Sequence, residues 1–367
     1  MMRRSKPPFR ADHVGSLLRP AALKQARARR AKGEITANAL AAVEDREIES
    51  IVKKQEAAGL QSITDGEFRR SWWHLDFLWG LDGVERHVMD TGIAFAAVTT
   101  RNEGIRVTGK LGFSGHPMIE HFKFLKVHTQ RTPKMTIPSP SAIYGRPVPT
   151  PIDKSVYPTL DRFFDDLGQA YKKAVRAFAD AGCRYLQLDE VFIAMLCDEK
   201  YRQQMRDRGN DPDYLGTLYG DLINTAISDI PPDMTVTMHL CRGNYKSTFM
   251  GAGGYDAMQE VLFDRIKVHG YFMEYDSDRA GGFEPLRRLP KDRIAVLGLV
   301  TSKSGILESK DVVKRRIEEA AKFAALDQLC LSPQCGFAST EEGNILAEDE
   351  QWAKLKMIVE VAHEVWG

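Results

Sequence analysis

No stretch of this 367-residue sequence approaches the roughly 18 to 20 consecutive apolar residues that a membrane-spanning helix needs, and the start MMRRSKPPFR runs into a polar segment instead of an apolar signal core. A soluble protein of the cytoplasm, with no membrane partner, is expected. Cysteine is scarce and odd in number: Cys183, Cys197, Cys241, Cys330 and Cys335 argue against a disulfide framework and leave burial or metal binding to explain them. An excess of one charge is also missing. With 51 Lys and Arg against 50 Asp and Glu, nothing supplies the basic field that nucleic-acid binding demands, so a small-molecule partner is expected. No low-complexity linker divides the chain, and no fixed period points to a solenoid.

What the sequence does contain is a rhythm. Short apolar, β-branched runs recur at 10–16, 60–67, 134–140, 184–190, 234–241, 268–276, 293–303 and 328–336, each followed by a helical pattern. Such alternation predicts a parallel sheet with crossover helices, and a count of eight predicts a closed (β/α)8 TIM barrel, one catalytic domain over 1–367. The stretches 36–59 and 159–182 read as amphipathic helices that stop at Gly59 and Gly182. Residues 68–131, with WW at 72–73, Trp79-Gly80 and the alternating run IRVTGKLGF (105–113), break the rhythm and read as an insertion after the second strand, at the mouth of the barrel. The Pro-rich stretch 137–152 reads as a rigid loop. Trp72, Trp73 and Trp79 are expected to pack the insertion onto the barrel, a platform for a substrate ring being the alternative.

Polar residues gather where these strands end: His13 and Ser16, Asp65 and Glu67, Asp189 and Glu190, His239 and Cys241, Glu274, Lys303 and Cys335. In a barrel those ends converge on the face that carries the chemistry. Taken singly, each has a plainer reading, since cysteine is often buried and a histidine or glutamate at a strand end often serves packing or capping. Taken together, His239 and Cys241, two apart on one strand and so on one side of it, with Glu274 and Cys335, offer one imidazole, two thiolates and a carboxylate. That mixture suits tetrahedral Zn2+. Zinc holds a bound thiol deprotonated yet nucleophilic, so thiol alkylation is the chemistry expected; a hydrolytic zinc site is usually richer in histidine. Cys183, Cys197 and Cys330 read as core residues.

The segments RADHVGSLLRP (10–20), DGEF (65–68), LQLDE (186–190), HLC (239–241), EYD (274–276) and SPQCGF (332–337) resemble the C-terminal catalytic barrel of the cobalamin-independent methionine synthases, including short bacterial paralogues that lack the N-terminal half. The resemblance spans nearly the whole chain. It implies methyl transfer to the thiol of homocysteine, giving methionine, from methyltetrahydrofolate or another methyl carrier. It further implies that Gly15, Ser16, Glu67 and Asp189 contact the thiol amino acid, with Asp189 also in the catalytic set; Asp65, Glu190 and His13 either orient these groups or serve strand-end capping and packing, and Lys303 is the catalytic candidate that could bind an anion or donate a proton. Lys303 occupies the place of a family histidine that moves a proton, and Ala338, Ser339 and Thr340 replace basic residues, so the donor end departs from the pattern while the metal end keeps it. Alkyl transfer to a different thiol, of the epoxide-opening kind, and a non-catalytic thiol or metal sensor are the competing readings.

Overall fold

The computed structural model describes residues 4–367. Among them ten strands follow one another: β1 (Ser62–Ile63), β2 (Asp82–Val88), β3 (Glu103–Gly112), β4 (Thr132–Pro133), β5 (Met135–Pro138), β6 (Tyr185–Glu190), β7 (Thr235–Leu240), β8 (Gly270–Glu274), β9 (Ile294–Val300) and β10 (Leu329–Pro333). From β5 to β10 the strands lie side by side in chain order, every pair parallel. Both faces of these strands are covered, so that in YLQLDE as in IAVLGLV every residue is buried, the polar ones of the first included. The fold is therefore α/β with a parallel sheet.

Of three long helices, two form where the periodicity places them, and the third, Glu348–Trp366, follows β10. Ala37–Ala57 begins after Thr36, whose side chain accepts from the Ala39 N–H, and Leu160–Asp180 turns Phe163, Leu167, Tyr171, Ala174 and Phe178 inward at three- and four-residue spacing. Helices Pro212–Ala226 and Lys310–Ala320 lead from β6 to β7 and from β9 to β10. The crossovers on either side of β8 depart from expectation. They hold only short turns, Tyr255–Met258 with Val261–Arg265 and then Asp278–Ala280 with Glu284–Arg288. Gly251, Gly253, Gly254, Gly281, Gly282, Pro285 and Pro290 are poor helix formers, and they crowd these two connections.

At the β10 edge the chain start adds one more rung: the Asp12 N–H donates to Leu331 O (3.0 Å) and the Leu331 N–H to Arg10 O (2.8 Å). At the β5 edge, β4 runs directly into β5 and pairs with β1, and the Lys134 N–H donates to Ile63 O. The expected strands 10–16 and 60–67 thus shrink to a single bridge at Ala11 and a two-residue strand. Side chains make their seam instead. Ser62 Oγ donates to Asp12 Oδ1 (2.8 Å), Thr64 Oγ1 to Gly15 O (2.6 Å), and the buried Lys134 ammonium lies against Asp12 and the His13 carbonyl.

Segment 68–131 does contain the antiparallel hairpin, β2 with β3, but it also contains the helix Pro117–His128, capped by His116. That helix has Pro at its first position and is a regular element that the reading as an excursion overlooked. The Pro-rich loop is pinned to the hairpin through the Val107 N–H, which donates to Pro151 O. All five cysteines are free and buried. No helix of the described residues is long and apolar enough to cross a membrane.

Candidate metal centre and substrate cavity

Strand register assembles the four metal-type residues. Parallel pairing sets Asp189 opposite His239 and Glu274 opposite Gly298. Cys241, one residue beyond β7, is held by its N–H donating to Glu190 O (3.0 Å), and Gln334, next to Cys335, by its N–H donating to Val300 O (2.8 Å). Gly298 lets this happen: a Cβ there would come within 2.7 Å of Gln334 Cα and 2.9 Å of Met273 O. The donor atoms of His239, Cys241, Glu274 and Cys335 all fall within 4.8 Å of one another, and all four residues are buried.

Electrostatics favours a cation at their centre. The two sulfurs are 3.6 Å apart, near the separation of about 3.8 Å that two 2.3 Å zinc–sulfur bonds at a tetrahedral angle require. Sharing a proton with Cys241 brings the Cys335 thiol down to about 7, with His239 and Lys303 assisting against burial, and pushes Cys241 up. Burial pulls His239 down, but its bond to Asp189 and the fields of Cys335 and Glu274 outweigh this and raise it to about 9. Burial likewise opposes ionisation of Glu274, yet Lys303, Arg279 and His239 hold its carboxyl below the usual range. A cluster that draws its imidazole toward the charged form is complementary to a dication.

Asp189 and Arg279 orient the donors from behind. Asp189 Oδ1 is 3.5 Å from His239 Nδ1, while His239 Nε2 faces Glu274 Oε1 at 4.0 Å. Arg279 Nη2 donates to Glu274 Oε2 (3.0 Å), leaving Oε1 on the His239 side. The Lys303 Nζ is buried, has no hydrogen-bond partner, and lies near enough to Glu274 and Cys335 to act on both.

One cavity runs from these donors to the hairpin, lined by Ser16, Glu67, Asp189, His239, Cys241 and Cys335 at its polar end. Glu67 sits in the left-handed backbone region (φ 60), a strained conformation fixed by its N–H donating to Asp65 Oδ1. Its Oε1 accepts from Thr136 (2.7 Å), its Oε2 has no partner, and burial with Asp189 nearby raises its carboxyl. Gly15 stands behind the wall with φ 136, where a Cβ would meet Thr136 at 2.7 Å. The structure places two of the expected orienting residues elsewhere. His13 Nε2 bonds to Ser62 O at the seam, and Glu190 accepts from Ser139, Ser141 and the Phe192 and Ile193 N–H groups, setting the loop that carries Phe192 into the cavity.

At the apolar end Trp72 and Trp73 stand where the alternative reading, a platform for a substrate ring, has them, while the other wall residues were not foreseen. Trp72, Trp73, Ile93, Phe95, Phe192 and Met250 wall it, with His74 and Arg146. Trp79 takes the packing role instead, its ring under Arg86 and its Nε1–H donating to Gly104 O. The WW pair and the loop position of Arg146 were visible in the sequence, but nothing there joined them.

Residues 9–364 match the family described as the cobalamin-independent synthase catalytic domain. The Bacillus subtilis protein YxjH, itself uncharacterized, is 52% identical over 364 residues, 98% of this chain and 96% of its own. A methionine synthase of Pyrococcus abyssi is 25% identical over 298 residues, 80% of this chain and 76% of its own. Among solved structures, a candidate vitamin-B12 independent methionine synthase from Listeria monocytogenes superimposes with a TM-score of 0.79 at 42% identity, covering 99% of this chain and 100% of that one.

Proposed function

The chain belongs to the cobalamin-independent synthase catalytic-domain family, and from that premise we propose that it is a zinc-dependent methyltransferase that methylates the thiol of homocysteine to give methionine. Membership supports methyl transfer; the metal and the acceptor are our reading of the site. The observation that carries it is the convergence of His239, Cys241, Glu274 and Cys335, from the ends of three strands, to within 4.8 Å. The same reading takes the six-stranded ladder, the Arg10–Asp12 segment and β1 as the staves of one (β/α)8 barrel, with 68–131 carrying an insertion over its mouth.

Those four residues would hold Zn2+, which when bound supplies the acidity that keeps a substrate thiol as thiolate at neutral pH. The rest of the work falls to the protein. Glu67, with its free Oε2, and Asp189 accept the α-ammonium group of the thiol amino acid by charge-assisted hydrogen bonds, and Ser16 closes the same end. Asp189 also fixes the His239 ring. Arg279 and Lys303 keep Glu274 ionised where burial alone would protonate it. Lys303, unpaired beside the donors, is the cation available to hold an anionic group or return a proton to the departing carrier. The sulfur displaces the carrier from the methyl carbon, and the carrier leaves with the electron pair of the broken bond. The apolar walls exclude water while this happens.

The test is to incubate zinc-loaded protein with homocysteine and, in separate reactions, methyltetrahydrofolate, methylcobalamin and simple methyl donors, measuring methionine by mass spectrometry. Methionine from at least one donor is expected. Turnover with other thiols but none with homocysteine would refute the acceptor, and stoichiometric zinc without turnover of any thiol would point to a sensor.

A further inference from the structure

Arg146 is 1% exposed, yet its guanidinium has nothing on the protein to balance it. Nη2 has Met89 Sδ at 3.6 Å, a weak acceptor, and Nε has no partner. Burial lowers it to about 10, and no carboxylate is close enough to oppose that. The other buried arginines also leave a nitrogen unpartnered, but each has oxygen acceptors: Arg19 donates to the carbonyls of Leu17, Glu67, Arg70 and Ala338, Arg70 donates to Thr136 O with Glu67 Oε1 at 3.5 Å, and Arg242 donates to Gly253 O and lies 4.4 Å from the centre of the Tyr255 ring. Beside Arg146, His74 is also buried, and its Nδ1 has no partner; burial first and the Arg146 charge second hold its imidazole neutral.

Two buried nitrogen-bearing side chains from different segments therefore face one cavity without an acceptor. Buried charge without a partner is costly, and such groups are kept where a ligand supplies the counter-charge. Neither Glu67 nor Asp189 acts on Arg146, so the cavity has an acidic end beside the metal donors and a separate basic end among aromatic rings. We propose that Arg146 and His74 form an anion subsite for the methyl-donating substrate, which carries a carboxylate, sulfonate or phosphate on a compact apolar body. Only the identification of that ligand as the donor rests on the methyl-transfer reading. Because the guanidinium lies within the wall and not at its rim, the anion is buried along with the body that bears it, which an extended charged tail reaching solvent would not be.

Trp72 and Trp73 line the cavity, so their fluorescence reports occupancy without turnover. Zinc-loaded wild type is titrated with phenylacetate, benzylsulfonate and benzyl phosphate, each against the uncharged phenylacetamide, and the three acids separate the possible sources of the anion. At least one acid is expected to bind roughly tenfold or more tightly than the amide. Arg146→Met should erase the difference and Arg146→Lys should keep part of it. Equal binding of acids and amide by wild type, binding of none of them, or a preference that survives Arg146→Met would overturn the subsite. If Arg146→Met fails to fold, Arg146→Gln is held to the same outcome in its place, and equal binding of acids and amide by wild type overturns the subsite without any variant. Homocysteine methylation is assayed on the same samples: acid preference without methionine formation removes the function and keeps the subsite, and methionine formation without acid preference does the reverse.

Discussion

Gly298→Ala should weaken the metal centre although the residue supplies no metal donor itself. The added methyl would come within 2.7 Å of Gln334 Cα and 2.9 Å of Met273 O, both backbone atoms that no rotamer change can withdraw. Restoring an ordinary contact opens the β9–β10 side by roughly half an ångström or more. Metal–ligand distances tolerate only about ±0.2 Å, and Cys335 follows Gln334 in the chain, so zinc affinity should fall about tenfold or more. Overpacking of this kind costs about 1–3 kcal/mol, a fall of a few degrees in melting temperature. Gly115→Ala is the control, since a Cβ there meets nothing within 4 Å. Zinc affinity by competition with a chromogenic chelator, and thermal unfolding with and without zinc, measure both effects. If Gly298→Ala matched Gly115→Ala in affinity and melting temperature, the account of how Cys335 is positioned would be wrong.

Cys241→Ser and Cys335→Ser should each lose most zinc, measured by elemental analysis, because a hydroxyl replaces thiolate poorly; full occupancy in both would refute the donor set. Glu67→Gln should weaken homocysteine binding by about 1–3 kcal/mol with zinc retained, whereas Asp189→Asn should weaken both homocysteine and zinc, the metal by about 10- to 100-fold, because its carboxylate also steadies His239. Calorimetric titration of each ligand separates the two variants, and identical behaviour would show that Asp189 does not support the ring. Burial, with the nearby Lys134, lowers His13 to about 4, below the ordinary 6.5, so the folded protein resists a proton that the unfolded chain accepts. Its contribution, about 3 kcal/mol at most, is full above pH 6.5 and is lost as pH falls toward about 4. Urea unfolding across that window should show the loss, and His13→Gln should flatten it.

The metal-type residues were legible because cysteine is rare in this chain and the pattern ends its apolar runs on the same few residue types. Six strands and the helices Ala37–Ala57 and Leu160–Asp180 followed from periodicity and glycine stops. The strands at 10–16 and 60–67 were overdrawn because Asp12, Ser62, Thr64 and Lys134 bond there in place of a backbone ladder, and apolar patterning does not distinguish the two. The helix Pro117–His128 was hidden by its neighbouring hairpin. Arg146 and His74 were missed for a different reason: an arginine in a proline-rich loop gives no sign of lacking a counter-ion until the fold shows what surrounds it.

The rung between Arg10–Asp12 and Leu331 joins nearly the two ends of the chain, and Cys335 lies just beyond it. During synthesis this segment must therefore wait for its partner until β10 has left the ribosome. The fourth metal donor arrives at the same late moment. A nascent chain interrupted before that point can neither complete its sheet nor trap zinc in a finished site, so metal loading would report that translation has passed Cys335.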